Sequence, residues 1–225
     1  MTTDEKLRAF YDAMFDALGP QGWWPGETPL EVVVGAILTQ NTNWKNVERA
    51  IANLKREGLL DPQALDVIDA DRLGEVIRPA GYFRIKARRL KNFMHLLADR
   101  FGGGLDALFA LSASALRETV LSVSGIGPET ADSILLYAAG RPVFVVDAYT
   151  ARILFRHGLI EGDATYDDLQ ALFHGSLAED ADLFGEYHAL LVAVGKQWCR
   201  KRAPRCTGCP LEPLLEDGQP VTEMF

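Results

Sequence analysis

The segment Thr28-Pro29-Leu30-Glu31-Val-Val-Val-Gly35-Ala-Ile-Leu38 constrains this chain more than any other. Thr28 supplies an N-cap hydroxyl. Pro29 suits the first helical position, where its missing N–H would find no partner anyway, and Glu31 reaches back to complete a capping box. The helix so begun carries Val32, Val33, Val34, Ala36, Ile37 and Leu38 with no polar face to give to water. Such a helix is central and must be surrounded by others.

The rest of the chain supplies those neighbours. Residues 46–56 place Val47, Ile51 and Leu54 on one stripe, and Asp61-Pro62 opens another helix by the same cap-plus-proline logic. Helical spacing recurs over 71–77, 85–100, 105–110, 113–123, 129–139, 148–155, 166–174 and 182–196. Only 143–146 reads as a strand, and it lacks an obvious partner. Gly102-Gly103-Gly104 reads as a flexible break and the residues from Glu216 on as a frayed tail. An all-α fold is predicted.

No apolar run reaches the length of a membrane span, and the N-terminus lacks a signal-peptide profile. A cytoplasmic protein with no membrane partner is expected. The net charge of −8 weighs against a nucleic-acid partner, since phosphate binding needs positive charge at the contact face. The basic residues are nevertheless clustered: Arg84, Lys86, Arg88, Arg89 and Lys91 in one segment, Lys196, Arg200, Lys201, Arg202 and Arg205 in another. Each cluster is either a phosphate-tracking patch on an acidic body or a solvated helix face. Cys199, Cys206 and Cys209 are the only cysteines, and three clustered thiols point to a metal or iron–sulfur site rather than to disulfides.

The most informative stretch is Leu121-Ser-Val-Ser-Gly125-Ile-Gly127-Pro-Glu-Thr130-Ala131. One helix ends, two glycines permit a tight turn, and Pro128 suits the first turn of the next helix. Exposed N–H groups there make a phosphate site indifferent to base sequence, or else simply join two helices. Val143-Phe-Val-Val146-Asp147 follows, and Asp147 doubles as N-cap of the next helix.

Hairpin, carboxylate and spacing together resemble the helix-hairpin-helix DNA glycosylases of the endonuclease III superfamily. The resemblance covers roughly residues 28–210. It implies two helical lobes, one from residues 30–141 and one from 1–29 with 142–225, and a damaged-base pocket between them. Gly125, Ile126, Gly127 and Thr130 would hold the DNA backbone, and Gln40 in Leu-Thr39-Gln40-Asn-Thr42 would fill the gap left by an extruded nucleotide. Tyr82, in Gly81-Tyr-Phe-Arg-Ile-Lys86-Ala87, would wedge into the opposite strand, with Lys86 beside it as a DNA contact. Cys199-x6-Cys206-x2-Cys209 matches three members of the family's four-cysteine [4Fe–4S] loop, which would present Arg200 and Arg202 to phosphates. The fourth cysteine falls at Leu215. A cluster completed by Glu212, Glu216, Asp217 or solvent is expected, with cluster loss or zinc as the alternatives.

A second departure bears on chemistry. Bifunctional members carry a hairpin lysine that attacks the sugar and then cleaves the strand, whereas this chain has Glu129 there and no lysine between Lys91 and Lys196. A monofunctional N-glycosylase of base excision repair is therefore expected, without lyase activity. Asp147 would stabilise the oxocarbenium-like sugar or activate a water. Glu129 either faces the base or occupies a helix first turn where the dipole favours it. The absence of an evident general acid suits a base that leaves easily, such as an alkylated purine. Trp23-Trp24-Pro25 and Trp44 could stack on a cationic ring. These features resemble the 3-methyladenine glycosylase branch. Double-stranded DNA with damaged bases is the expected partner of a monomer working at the nucleoid. Two other readings remain: a glycosylase/lyase on oxidised pyrimidines, and a non-catalytic DNA clamp. The four histidines, at 95, 157, 174 and 188, lack metal spacing and suggest no role.

Overall fold

The computed structural model describes residues 1–221, and every regular element among them is helical. The chain divides into two compact units, Trp24–Arg141 on the one hand, and Met1–Trp23 with the chain from Pro142 on. Helix α1 (Thr3–Leu18) belongs to the terminal unit. Eight helices follow in the middle unit: α2 (Pro29–Leu38), α3 (Trp44–Arg56), α4 (Pro62–Val67), α5 (Ala70–Val76), α6 (Phe83–Phe101), α7 (Leu105–Phe109), α8 (Ala113–Leu121) and α9 (Pro128–Ser133). The terminal unit resumes with α10 (Ala148–Arg156), α11 (Tyr166–Ser176) and α12 (Ala181–Gln197). No helix among the described residues is long and apolar enough to cross a membrane.

In the middle unit α2 is buried from Leu30 to Leu38, with α3, α6, α9 and the turn Ile134–Ala138 packed against it. The Thr28 hydroxyl accepts the Glu31 N–H at 3.2 Å. The return bond of the expected capping box is not made. The Glu31 carboxylate instead accepts from Glu27 N at 3.3 Å and pairs with Lys55 at 2.9 Å, which compensates a carboxylate that α2 carries into the interior. Helix α6 stops at Gly102 in the left-handed region, and Gly103 N donates to Leu97 O at 2.8 Å. The glycine run is thus an ordered helix stop. Beyond α9 the backbone widens into a π turn over Ile134–Ala138, a rare feature that shifts the side-chain register.

Two expectations fail in the terminal unit. Residues 143–146 form no strand. Phe144 and Val145 are buried, and α11 satisfies their backbone with side chains: Phe144 N donates to His174 Nε2 at 3.1 Å, Gln170 Nε2 donates to Phe144 O at 2.7 Å, and Val146 N approaches the Tyr166 hydroxyl at 3.4 Å. Nor is the chain after Glu216 frayed as far as it is described. Lys6 Nζ donates to Glu216 at 2.9 Å, and Val221 N donates to Arg156 O at 3.0 Å, while 222–225 lie outside the described residues. Helix α1 was missed altogether. Its signals were Thr2 and Glu5, which form a complete capping box, and the helical spacing of Leu7, Phe10 and Met14, all fully buried.

The same unit carries a pH-sensitive group. His157 is buried against Phe10, at 4.7 Å between ring centroids, and burial pulls its imidazole down to about 4. The unfolded chain therefore takes up a proton near pH 6.5 that the native state resists until about pH 4. Stability is lost as pH falls through that window, by on the order of 3 kcal/mol at one pKa unit per 1.36 kcal/mol. Urea unfolding at near-neutral and mildly acidic pH should show a smaller acid loss in His157→Gln than in the parent. An unchanged pH dependence would contradict this.

Candidate functional site

The middle unit carries the hairpin. Residues 122–127 join α8 to α9, and Gly125 has φ 95°, the region that favours glycine. Its backbone is also overlaid by Arg89: a Cβ on Gly125 would stand 2.5 Å from Arg89 Cγ and 2.8 Å from Nε. Gly125, Gly127 and Glu129 are exposed, whereas Ile126 is 6 % exposed and contributes its side chain to the core, so only its backbone can face DNA. Thr130 is buried too, its hydroxyl accepting Gln40 Nε2 at 2.9 Å. Gln40 Nε2 also reaches Gly125 O at 3.3 Å, and Arg89 Nη1 donates to Gln40 Oε1. Gln40, 85 residues before Gly125, is thus tied to the hairpin itself. Arg89, which the sequence marked only as one of a charge run, joins the two.

Tyr82 is 67 % exposed and holds φ 44°, a left-handed conformation that costs a non-glycine residue about 1–3 kcal/mol. A large ring projected on strained backbone at the start of α6 suits the wedge. Lys86, one turn on, does not suit DNA contact, and this expectation is corrected. Its side chain is buried and Nζ donates to Leu38 O at 2.9 Å and Ala80 O at 2.7 Å, while burial, with Arg89 nearby, lowers its pKa to about 8. The ammonium closes the end of α2 from inside. Lys86→Ala should cost roughly 2–4 kcal/mol by orphaning two carbonyls, and leave DNA affinity per folded molecule unchanged. Denaturant melts read against fluorescence-anisotropy titration will test both halves.

The aromatic residues separate. Trp24 and Trp44 meet edge to face at 5.2 Å, and Tyr137, carried on the π turn, lies 5.3 Å from Trp24. A Cβ on Gly35 would come within 3.3 Å of both indoles, so that glycine lets them close on α2. Tyr137 had no sequence signal, because a regular helix would have pointed it elsewhere. Pro25 is exposed, and Trp23 belongs to the terminal unit, where the Lys196 ammonium stands 5.6 Å from its ring centroid.

In the terminal unit, Asp147 caps α10. Its Oδ1 accepts from Tyr149 N at 2.9 Å, Thr150 N at 2.8 Å and the Thr150 hydroxyl at 3.0 Å. Its Oδ2 faces His188 Nε2 at 3.7 Å, longer than a hydrogen bond. Burial pushes the carboxyl upward, but His188 and the Thr150 donors outweigh it and hold Asp147 below the usual carboxylate range. The site thus offers a sheltered, ionised carboxylate with one oxygen uncommitted to the cap. Arg152 and Arg156, on the same helix, hold the cysteine loop by its carbonyls: Arg152 Nε donates to Cys199 O at 2.6 Å, and Arg156 donates to Arg200 O at 2.8 Å and Lys201 O at 3.0 Å. Arg200, Lys201, Arg202 and Arg205 are exposed.

Cys199, Cys206 and Cys209 line one small cavity of about 20 Å³ with Arg156, Glu212 and Leu215. Burial raises the Cys206 thiol and pushes Cys209 to about 11. Among the described residues no three carboxylate, imidazole or thiol groups converge closely enough to hold a single metal ion. That disfavours a mononuclear zinc, which needs its ligands on one centre. The three thiols border a common cavity, but the described residues bring together no converged ligand set for a polynuclear cluster either. Leu215 offers no donor at the fourth corner.

Residues 34–179 match the HhH-GPD superfamily base excision DNA repair protein family. A candidate DNA repair glycosylase of Methanocaldococcus jannaschii is 48 % identical over 209 residues, 92 % of this chain and 94 % of that protein. The H. pylori 3-methyladenine DNA glycosylase, solved with 1,N6-ethenoadenine, superposes with TM-score 0.71 at 29 % identity, covering 88 % of this chain and 98 % of its own. A trapped endonuclease III–DNA covalent intermediate shares the fold, with TM-score 0.82 at 21 % identity, over 97 % of this chain and 98 % of that one. With its helical fold, its hairpin and a capped, ionised aspartate, this chain belongs to the HhH-GPD superfamily of base excision DNA repair glycosylases.

Proposed function

We propose that this glycosylase is monofunctional and hydrolyses the N-glycosidic bond of alkylated purines, of the 3-methyladenine kind, flipped out of duplex DNA. The observation that carries the reading is Glu129: an exposed carboxylate stands in the hairpin where a Schiff-base lysine would be needed for strand cleavage. The Trp24–Trp44–Tyr137 cluster supports the choice of base, since electron-rich rings attract a ring that alkylation has made cationic. Such a base departs without protonation, and the reaction then needs only a carboxylate for the positive charge left on the sugar. Asp147, held ionised, fills that role, and as the C1′–O bond forms the attacking water passes its proton to the Asp147 carboxylate and from there to solvent.

Within this reading Cys199, Cys206 and Cys209 are the residues that would hold an iron–sulfur cluster. When bound, it supplies structural order to the loop on which Arg200, Arg202 and Arg205 are exposed for phosphates. Anaerobic purification with iron and sulfide analysis tests that assignment. For the activity, duplexes with single alkylated, oxidised or deaminated bases are incubated with the enzyme, with and without alkali, and with borohydride. Alkylated bases released, strands broken only after alkali and no borohydride adduct are expected. Adduct formation with oxidised pyrimidines would establish the endonuclease III-like reading instead.

A further inference from the structure

We propose that His188 is a positioning residue for excision, holding the uncommitted oxygen of Asp147 in its working orientation. The inference rests on the assignment of Asp147 above and adds a residue that no sequence pattern marked. Two features of the geometry carry it. First, the carboxylate is divided between two tasks. All three cap bonds to Tyr149 N, Thr150 N and the Thr150 hydroxyl converge on Oδ1, which leaves Oδ2 outside the cap. Second, Oδ2 faces an imidazole nitrogen at 3.7 Å, and the side chains of His188 and Asp147 are only 7 % and 11 % exposed. A contact made away from water is weakly screened, so the pair restrains the rotation of the carboxylate about its cap and favours its anionic form.

The placement of His188 is itself rigid. It lies on α12, which packs directly on α10, and the two helices approach so closely at Gly195 that Tyr149 occupies the space a Cβ would take. Arg152 fastens the same crossing through Ala148 O, Gly195 O and Cys199 O. The other titratable groups nearby are engaged elsewhere. From α11, the Tyr166 hydroxyl meets Val146 N and His174 meets Phe144 N and Glu179. From α10 itself, the Arg152 guanidinium lies over the Tyr149 ring at 5.0 Å. His188 faces Oδ2 from the facing helix α12.

The test compares four proteins, the parent, His188→Leu, His188→Gln and Asp147→Asn, on whichever lesion duplex the parent excises best. Single-turnover base release is measured over roughly pH 3.5 to 8, beside duplex affinity and melting temperature. Asp147→Asn should be inactive. His188→Leu should be slower by on the order of tenfold or more, with its acid limb moved to higher pH, because an unassisted carboxylate takes up its proton earlier. Affinity and melting temperature should hold, and His188→Gln, which can still donate to Oδ2, should recover much of the rate. An inactive Asp147→Asn beside a His188→Leu of unchanged rate and acid limb overturns this inference alone. So does a His188→Leu whose rate loss merely follows lost folding and is not relieved in His188→Gln. An active Asp147→Asn overturns the underlying assignment of the aspartate.

Discussion

Asp147→Asn is expected to reduce base release by roughly 100- to 10,000-fold, the range for losing a positioned charged or proton-accepting group. It should do so with little change in stability or DNA affinity. Asparagine is as good an N-cap as aspartate, so the acceptor for Tyr149 N and Thr150 N persists and α10 stays anchored. What disappears is the negative charge beside an electron-deficient sugar, a loss felt only as the transition state forms. A thousandfold effect corresponds to about 4 kcal/mol of barrier, far beyond what a cap exchange contributes. The measurement is single-turnover release on an alkylated duplex, together with equilibrium binding and thermal melts. A variant that bound DNA and melted normally but excised at the parent rate would remove Asp147 from the chemistry.

The second large effect is structural. Gly195→Ala places a methyl 2.7 Å from both Cβ and Cγ of Tyr149, and against Cδ1 as well. Real Cβ atoms essentially never approach so closely. The atoms met lie at the root of the tyrosine, so a rotamer change cannot relieve the clash and the helices must separate. Overpacking of this kind costs typically 1–3 kcal/mol, and a contact with a fixed Cβ belongs at the upper end, about 3 kcal/mol. For a chain of this size that is a fall of roughly 6–12 °C in melting temperature. Excision should fall with it, since α10 and α12 carry Asp147 and His188. Gly175→Ala is the control: its Cβ would meet nothing within 4 Å on α11, so it should be neutral or mildly stabilising. Equal melting temperatures for the two variants would show that the α10–α12 crossing yields more easily than its contacts imply.

Much of the local structure was legible in the residues. Thr28, Asp61 and Asp147 each cap the helix that follows them. Such caps act over three or four residues and need no tertiary information. Where local signals were ambiguous the reading failed. Residues 143–146 are apolar and β-branched, which suits a strand, but their backbone partners are Gln170, His174 and Tyr166 in α11. Lys86 looked like a surface cation because lysine usually is one; two carbonyls 6 and 48 residues away bury it.

What the sequence determined by itself is therefore what short-range physics controls: helices with their starts and stops, a glycine hairpin, a capped aspartate and three cysteines at cluster spacing. Only the tertiary structure decided which distant side chains meet. It set His188 against Asp147 across 41 residues, closed Gln40 onto Thr130 across 90, and used a π turn to bring Tyr137 to Trp24. Hydrogen bonds to one's own backbone neighbours are dictated by chain geometry, whereas contacts between helices depend on how every buried face packs at once.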